Sequence, residues 1–194
     1  MSNICIFGDS TAWGALDLEK GGWVNRLWLD CAKNQDTFVY NLSIAGGTTK
    51  TILARFESET KIRKADILVF QTGGNDAAYD KDTEKRLVSP EKFKENIEKI
   101  IQKARRLAKR IIFIGFSNCD ESKTMPVSWC NLCYTNKYIK EYNGIIKKVC
   151  DTHRIKFADI FSILNNSDLE DGLHPNASGH QKIFEAVREY ILQE

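Results

Sequence analysis

Short apolar segments of strand length alternate with segments of helical period from one end of this chain to the other, and that alternation restricts the fold more than any other feature. Residues 4–7, 37–42, 66–71, 111–114 and 155–157 read as strands, the third carrying the apolar run Ile67-Leu68-Val69-Phe70. Strands apolar along their whole length need cover on both faces, and helices lying between them supply it by parallel crossovers. The spacing predicts helices over 22–33 and 48–61, with Trp23 and Trp28 as core packing in the first. Ser89-Pro90 predicts a helix start, serine as N-cap and proline at the first helical position. That helix sets Phe93, Ile97, Ile100, Ile101, Ala104 and Ala108 on one stripe. Two more helices follow, marked by Tyr138, Tyr142, Ile145, Ile146 and Val149, and by Ile183, Phe184, Val187 and Ile191. The expected class is α/β with a five-stranded parallel sheet in the flavodoxin-like order 2-1-3-4-5. Residues 1–194 read as one domain, with no linker, low-complexity tract or repeat.

Charge argues against several partner classes. The net charge is +2, from 28 basic and 26 acidic residues mixed along the chain, so neither nucleic acid nor an anionic membrane is expected as a partner. The densest basic stretch, 99–110, coincides with a helical pattern and reads as a solvated face. The N-terminal segment has neither the length nor the flanks of a signal peptide, and no apolar run reaches membrane-spanning length. The expectation is a cytoplasmic protein with free thiols. Of six cysteines, Cys5, Cys31 and Cys150 fall in periodic apolar segments and read as small core residues. Cys130-Asn131-Leu132-Cys133 has the spacing of half a zinc site, with Cys119 or His153 as conceivable further ligands. A second matching pair is absent, so these read as ordinary loop thiols and no metal is expected.

In open parallel sheets, sites form beyond the carboxyl ends of the strands. Gly8, Asp9 and Ser10 follow the first strand, Asn41, Ser43, Gly46 and Gly47 the second, Gly73, Gly74, Asn75 and Asp76 the third. Asp171 and His174 follow the last. A serine hydroxyl needs a base to take its proton, and the base needs a third group to hold its tautomer. Ser10 is the candidate nucleophile. Of three histidines, His174 is best placed as base, because His153 ends one helix pattern and His180 lies inside another. Asp171, three residues before it, can reach back to the ring in a tight turn. Gly46, through its N–H, and Asn75, through its amide, are candidate oxyanion donors. The long irregular stretch 117–135 carries Met125, Pro126 and Trp129, and is either a cover for an acyl group or a surface excursion with its own apolar cluster.

Taken together, Gly8-Asp9-Ser10, Asn41-Leu42-Ser43-Ile44-Ala45-Gly46, Gly73-Gly74-Asn75-Asp76 and Asp171-Gly172-Leu173-His174-Pro175 resemble, in order, the four blocks of the SGNH hydrolases, also called GDSL esterases and lipases. Gly21-Gly22-Trp23-Val24 is similar to the start of the first long helix in many small members. The resemblance implies a three-layer α/β/α sandwich and a serine mechanism with no cofactor. By position it implies Ser10 as nucleophile, His174 as base, Asp171 as its orienting acid, and an oxyanion hole of the Ser10 and Gly46 N–H groups with the Asn75 side chain. Gly47 stands where members often have a polar residue. Asp9, Trp13, Gly47 and Trp129 are the expected substrate-side residues.

The function expected is a serine esterase acting on short-chain acyl esters, acetyl above all, of small molecules or sugars. An acyltransferase, a thioesterase or a lysophospholipase would use the same groups. A non-catalytic binding module is disfavoured because every required group is present. A nucleotide-binding protein is disfavoured because the loop at 8–14 lacks a glycine-rich phosphate cradle. The oligomeric state is not legible.

Overall fold

The computed structural model describes residues 2–33 and 37–193. In chain order the elements are β1 (Ser2–Gly8), α1 (Ser10–Trp13), α2 (Trp23–Ala32), β2 (Thr37–Asn41), α3 (Thr49–Arg63), β3 (Ile67–Gln71), α4 (Gly74–Ala77), β4 (Tyr79–Asp80), α5 (Pro90–Ala104), β5 (Arg110–Ile114), β6 (Leu132–Cys133), α6 (Asn136–His153), β7 (Lys156–Ala158) and α7 (Ala177–Leu192). The main sheet runs β2-β1-β3-β5-β7, every pair parallel, which is the expected 2-1-3-4-5 order of its five strands.

Alternation along each strand divides the core into two layers. Cys5, Phe7, Leu68, Phe70, Ile111 and Phe113 face α3, α5 and α6. Ile4, Ile6, Ile67, Val69, Ile112 and Ile114 face α2 and α7. Phe7, Phe70 and Phe113 stack across neighbouring strands, with ring centroids 5.8 and 5.1 Å apart. The result is the α/β/α sandwich.

Three local expectations are corrected. The α5 stripe ends at Ala104 rather than Ala108, because the chain turns over 105–107 and the Lys109 and Arg110 N–H groups bond the Asp66 carbonyl at 3.0 and 3.2 Å to enter the sheet. Trp23 is buried as expected, but Trp28 is 46% exposed. The inner face of α2 is filled by Trp23, Val24, Leu27 and Cys31, and residue 28 falls at the margin of that stripe. Cys119 and Cys133 are interior groups; only Cys130 of that trio is exposed. The 117–135 segment folds back on itself. Its β6 pairs antiparallel with β4, and Cys119, Val127 and Tyr134 join Phe116 and Leu173 in a separate apolar cluster.

Candidate active site

β1 and β3 are neighbours in the sheet, and their connections depart to opposite faces, which opens a crevice at their carboxyl ends. β1 ends in Gly8, where a Cβ would come within 2.5 Å of the Ala12 methyl and 2.9 Å of the Gln71 carbonyl. Glycine therefore lets the chain turn at once into α1. Asp9 caps that turn, accepting the Thr11 N–H at 3.0 Å. Ser10 is the first helical residue, with its hydroxyl at the crevice.

The Ser10 Oγ lies 2.8 Å from His174 Nε2, and His174 Nδ1 lies 2.7 Å from Asp171 Oδ2. The other carboxylate oxygen of Asp171 accepts the N–H groups of Leu173 and His174 at 2.9 and 2.7 Å. Burial opposes ionisation of Asp171, but the His174 ring and those two N–H groups outweigh it and hold the carboxyl below its usual range. An ionised carboxylate only accepts, so Nδ1 carries the proton and Nε2 is left bare toward Ser10. That is the tautomer a general base needs.

The donors on the other side of the crevice are built as carefully. Gly46 sits at φ +72°, with open space where its Cβ would be. Within the described residues, neither its N–H nor that of Ser10 makes a hydrogen bond. Asn75, buried in the single turn α4, donates from Nδ2 to the Gly47 carbonyl at 3.0 Å and accepts the Tyr134 hydroxyl on Oδ1 at 2.7 Å. A carbonyl cannot donate, so Gly47 fixes which end of the amide is nitrogen and leaves its second N–H for a ligand.

Asp76, next in the chain, ties the Asn75 loop to the start of α3. It accepts the Thr49 N–H at 3.0 Å and the Thr49 and Thr72 hydroxyls, while Asn96 donates to the Thr49 hydroxyl at 2.9 Å. Burial pushes the Asp76 carboxyl up to about 6 against those bonds. Asp9 is more isolated: it is 1% exposed, its Oδ2 has no partner among the described residues, and burial pushes its carboxyl up to about 7. Asp9, expected on the substrate side, is thus a buried cap of α1. Gly47 contributes its carbonyl rather than a side-chain surface, since a Cβ there would meet the Ile44 carbonyl at 2.8 Å.

Trp129 is half exposed, with its ring 5.5 Å from that of His174. The 117–135 segment thus has an apolar cluster of its own and sets one aromatic side chain beside the His174 ring. Trp13 is 58% exposed at the end of α1. His180 is fully buried, with Nδ1 3.3 Å from the Trp23 N–H and Nε2 3.2 Å from the Ala15 carbonyl, and burial pulls it down to about 4. It is a neutral packing group. Among the described residues no cluster of three or more His, Cys, Asp or Glu side chains is arranged to hold a metal ion.

The pattern of the GDSL-like Lipase/Acylhydrolase family matches residues 6–182. The chain belongs to this family. As a GDSL-type serine esterase/lipase it is similar to the esterase TesA of Pseudomonas aeruginosa, 25% identical over 190 residues that cover 95% of this chain and 85% of that protein. Its fold is shared with the lipase/acylhydrolase of Enterococcus faecalis, TM-score 0.77 at 24% identity over 100% of this chain and 99% of that one. It is shared also with an acetylxylan esterase of Geobacillus stearothermophilus, TM-score 0.73 at 18% identity over 97% and 93%.

In this GDSL-type esterase, the structure brings Ser10, His174, Asp171, Gly46 and Asn75 to one crevice. Sequence reasoning passed over Tyr134, Thr49 and Asn96, which fix Asn75 and Asp76 from distant elements. A tyrosine at the end of an irregular segment carries no signal of its partner. Thr49 had one faint signal, its place at the start of a predicted helix beside the Gly46-Gly47 pair.

Proposed function

We propose that the protein hydrolyses short-chain acyl esters through an acyl-enzyme on Ser10. The observation that carries this reading is the unbroken chain from Ser10 Oγ through His174 to Asp171, with, past the end of the neighbouring strand, an Asn75 amide that has one N–H to spare. Ser10 attacks the ester carbonyl as His174 Nε2 takes its proton, and Asp171 stabilises the imidazolium that forms. The oxyanion is met by the Ser10 and Gly46 N–H groups and by Asn75 Nδ2. His174 then protonates the departing alkoxide. Water, activated by the same histidine, attacks the acyl-enzyme and returns Ser10 to its free state.

A small acyl group, acetyl above all, is favoured by the half-exposed Trp129 beside His174 and by the acetylxylan esterase among the proteins that share the fold. The test is hydrolysis of p-nitrophenyl esters from acetyl through octanoyl to palmitoyl, with Ser10→Ala alongside. Rates that depend on Ser10 and fall with chain length are expected. Rates that rise toward palmitoyl would overturn the short-acyl reading.

A further inference from the structure

A second hollow opens beside α1, between α2 and the edge strand β2, with a volume of about 440 Å³. That is the size of a small-ligand site. Its walls are Trp13, Val24, Asn25, Trp28, Val39 and Asn41. It adjoins the helical turn that carries Ser10: Trp13 is three residues from Ser10 on that turn, and Asn41, at the carboxyl end of β2, donates to the Ala12 carbonyl at 2.9 Å.

The chemistry of this wall is specific. Two tryptophans, 58% and 46% exposed, line one groove, although tryptophan carries a large apolar surface that folding ordinarily buries. Beside them stand two amides, each pinned by its Nδ2 to a backbone carbonyl, Asn25 to Lys20 and Asn41 to Ala12. Pinning sets their orientation and, among the described residues, leaves each a second N–H, and Asn25 also a free Oδ1. No charged side chain among the described residues lines the groove. A phosphate-bearing leaving group, such as a nucleotide thioester or a phospholipid head, calls for cationic partners that these walls do not offer. A neutral ring with apolar C–H faces and a rim of hydroxyls fits them: flat faces lie on indole, and hydroxyls meet amides.

We propose that this groove is the leaving-group subsite for a saccharide, so that the substrate is an acyl ester of a sugar. The inference rests on the esterase reading and names its substrate class. Trp13 and Trp28 take the faces of pyranose rings, Asn25 and Asn41 bond ring hydroxyls, and the acylated oxygen is presented to Ser10.

Two measurements separate this inference from the reading beneath it. The first compares kcat/KM for methyl 6-O-acetyl-glucopyranoside, which keeps three free ring hydroxyls, with that for ethyl acetate, whose leaving group is too small to fill the groove, in the parent and in Trp28→Ala. The parent is expected to prefer the sugar ester, and Trp28→Ala to reduce that preference about tenfold, mainly through KM. The second titrates the same sugar ester into Ser10→Ala protein by calorimetry, with and without Trp28→Ala; binding that weakens about tenfold with the second change is expected. Ser10-dependent turnover of ethyl acetate with no preference for the sugar ester, or a preference and an affinity unmoved by Trp28→Ala, would overturn the subsite and leave the esterase reading standing. Turnover that survives Ser10→Ala would instead remove the reading on which it rests.

Discussion

The Tyr134 hydroxyl donates to Asn75 Oδ1 at 2.7 Å, joining the end of the 117–135 segment to the amide that faces the crevice. Tyr134 is buried, and that burial pushes its hydroxyl well above the ordinary range, so it is a fixed donor at any working pH. Its bond, with the Gly47 carbonyl on the other end, leaves the Asn75 amide one orientation.

Tyr134→Phe keeps the ring and removes the bond. One buried hydrogen bond corresponds to about a tenfold effect, so kcat is expected to fall about tenfold. Because Tyr134 acts through Asn75 and does not touch substrate, KM is expected to move much less. Steady-state kinetics on p-nitrophenyl acetate check the split; an effect confined to KM would mean that Tyr134 shapes the binding surface instead.

Asn75→Ala removes the donor itself. Loss of one oxyanion donor costs about 100- to 1,000-fold in kcat. The double variant with Tyr134→Phe should be no slower than Asn75→Ala alone, since the tyrosine has nothing left to position. Additive losses in that cycle would show two independent roles.

Asp171→Asn tests the tautomer argument. An asparagine can turn its NH₂ toward His174 Nδ1, which places the ring proton on Nε2 and leaves Ser10 without a base. kcat is expected to fall about 1,000- to 10,000-fold with the fold retained, as circular dichroism would verify. A loss below about tenfold would mean that Asp171 does not set the ring.

Asp9 carries a proton near neutral pH because burial raises its carboxyl from 3.8 to about 7. Between those values the folded protein holds a proton that the unfolded chain has released. The stability linked to that proton is fully present below 3.8 and is lost as pH rises through about 7. An asparagine in its place does not titrate and caps α1 as well as aspartate does. The unfolding free energy of Asp9→Asn, relative to the parent, is therefore expected to rise by on the order of 1–3 kcal/mol between about pH 4 and about pH 8 in urea titrations. A difference that stays flat with pH would show that Asp9 ionises as an ordinary surface carboxylate does.

Strand order was legible because the β1, β3 and β5 segments are apolar on both faces, a pattern set by local composition. The crevice was legible because Ser10, Gly46, Asn75 and His174 lie just past strand ends or in short turns, where chain order and topology decide position. The burial of Asp9 was not legible because Gly-Asp-Ser does not show on which side of the turn the carboxyl falls; the structure has it buried and capping α1. Trp28 was misjudged because residue 28 borders the inner stripe of α2, and only the position of β2 decides whether that border is covered. Tyr134 stayed hidden because its partner is 59 residues away, and no local pattern encodes a contact across that distance.

The most direct test of the central claim is rapid-quench mass spectrometry of the protein mixed with p-nitrophenyl acetate. An acetyl adduct on the peptide containing Ser10, formed as fast as the first turnover and absent from Ser10→Ala, is predicted. Full turnover by Ser10→Ala, or an adduct found only on another residue, would contradict an acyl-enzyme on Ser10.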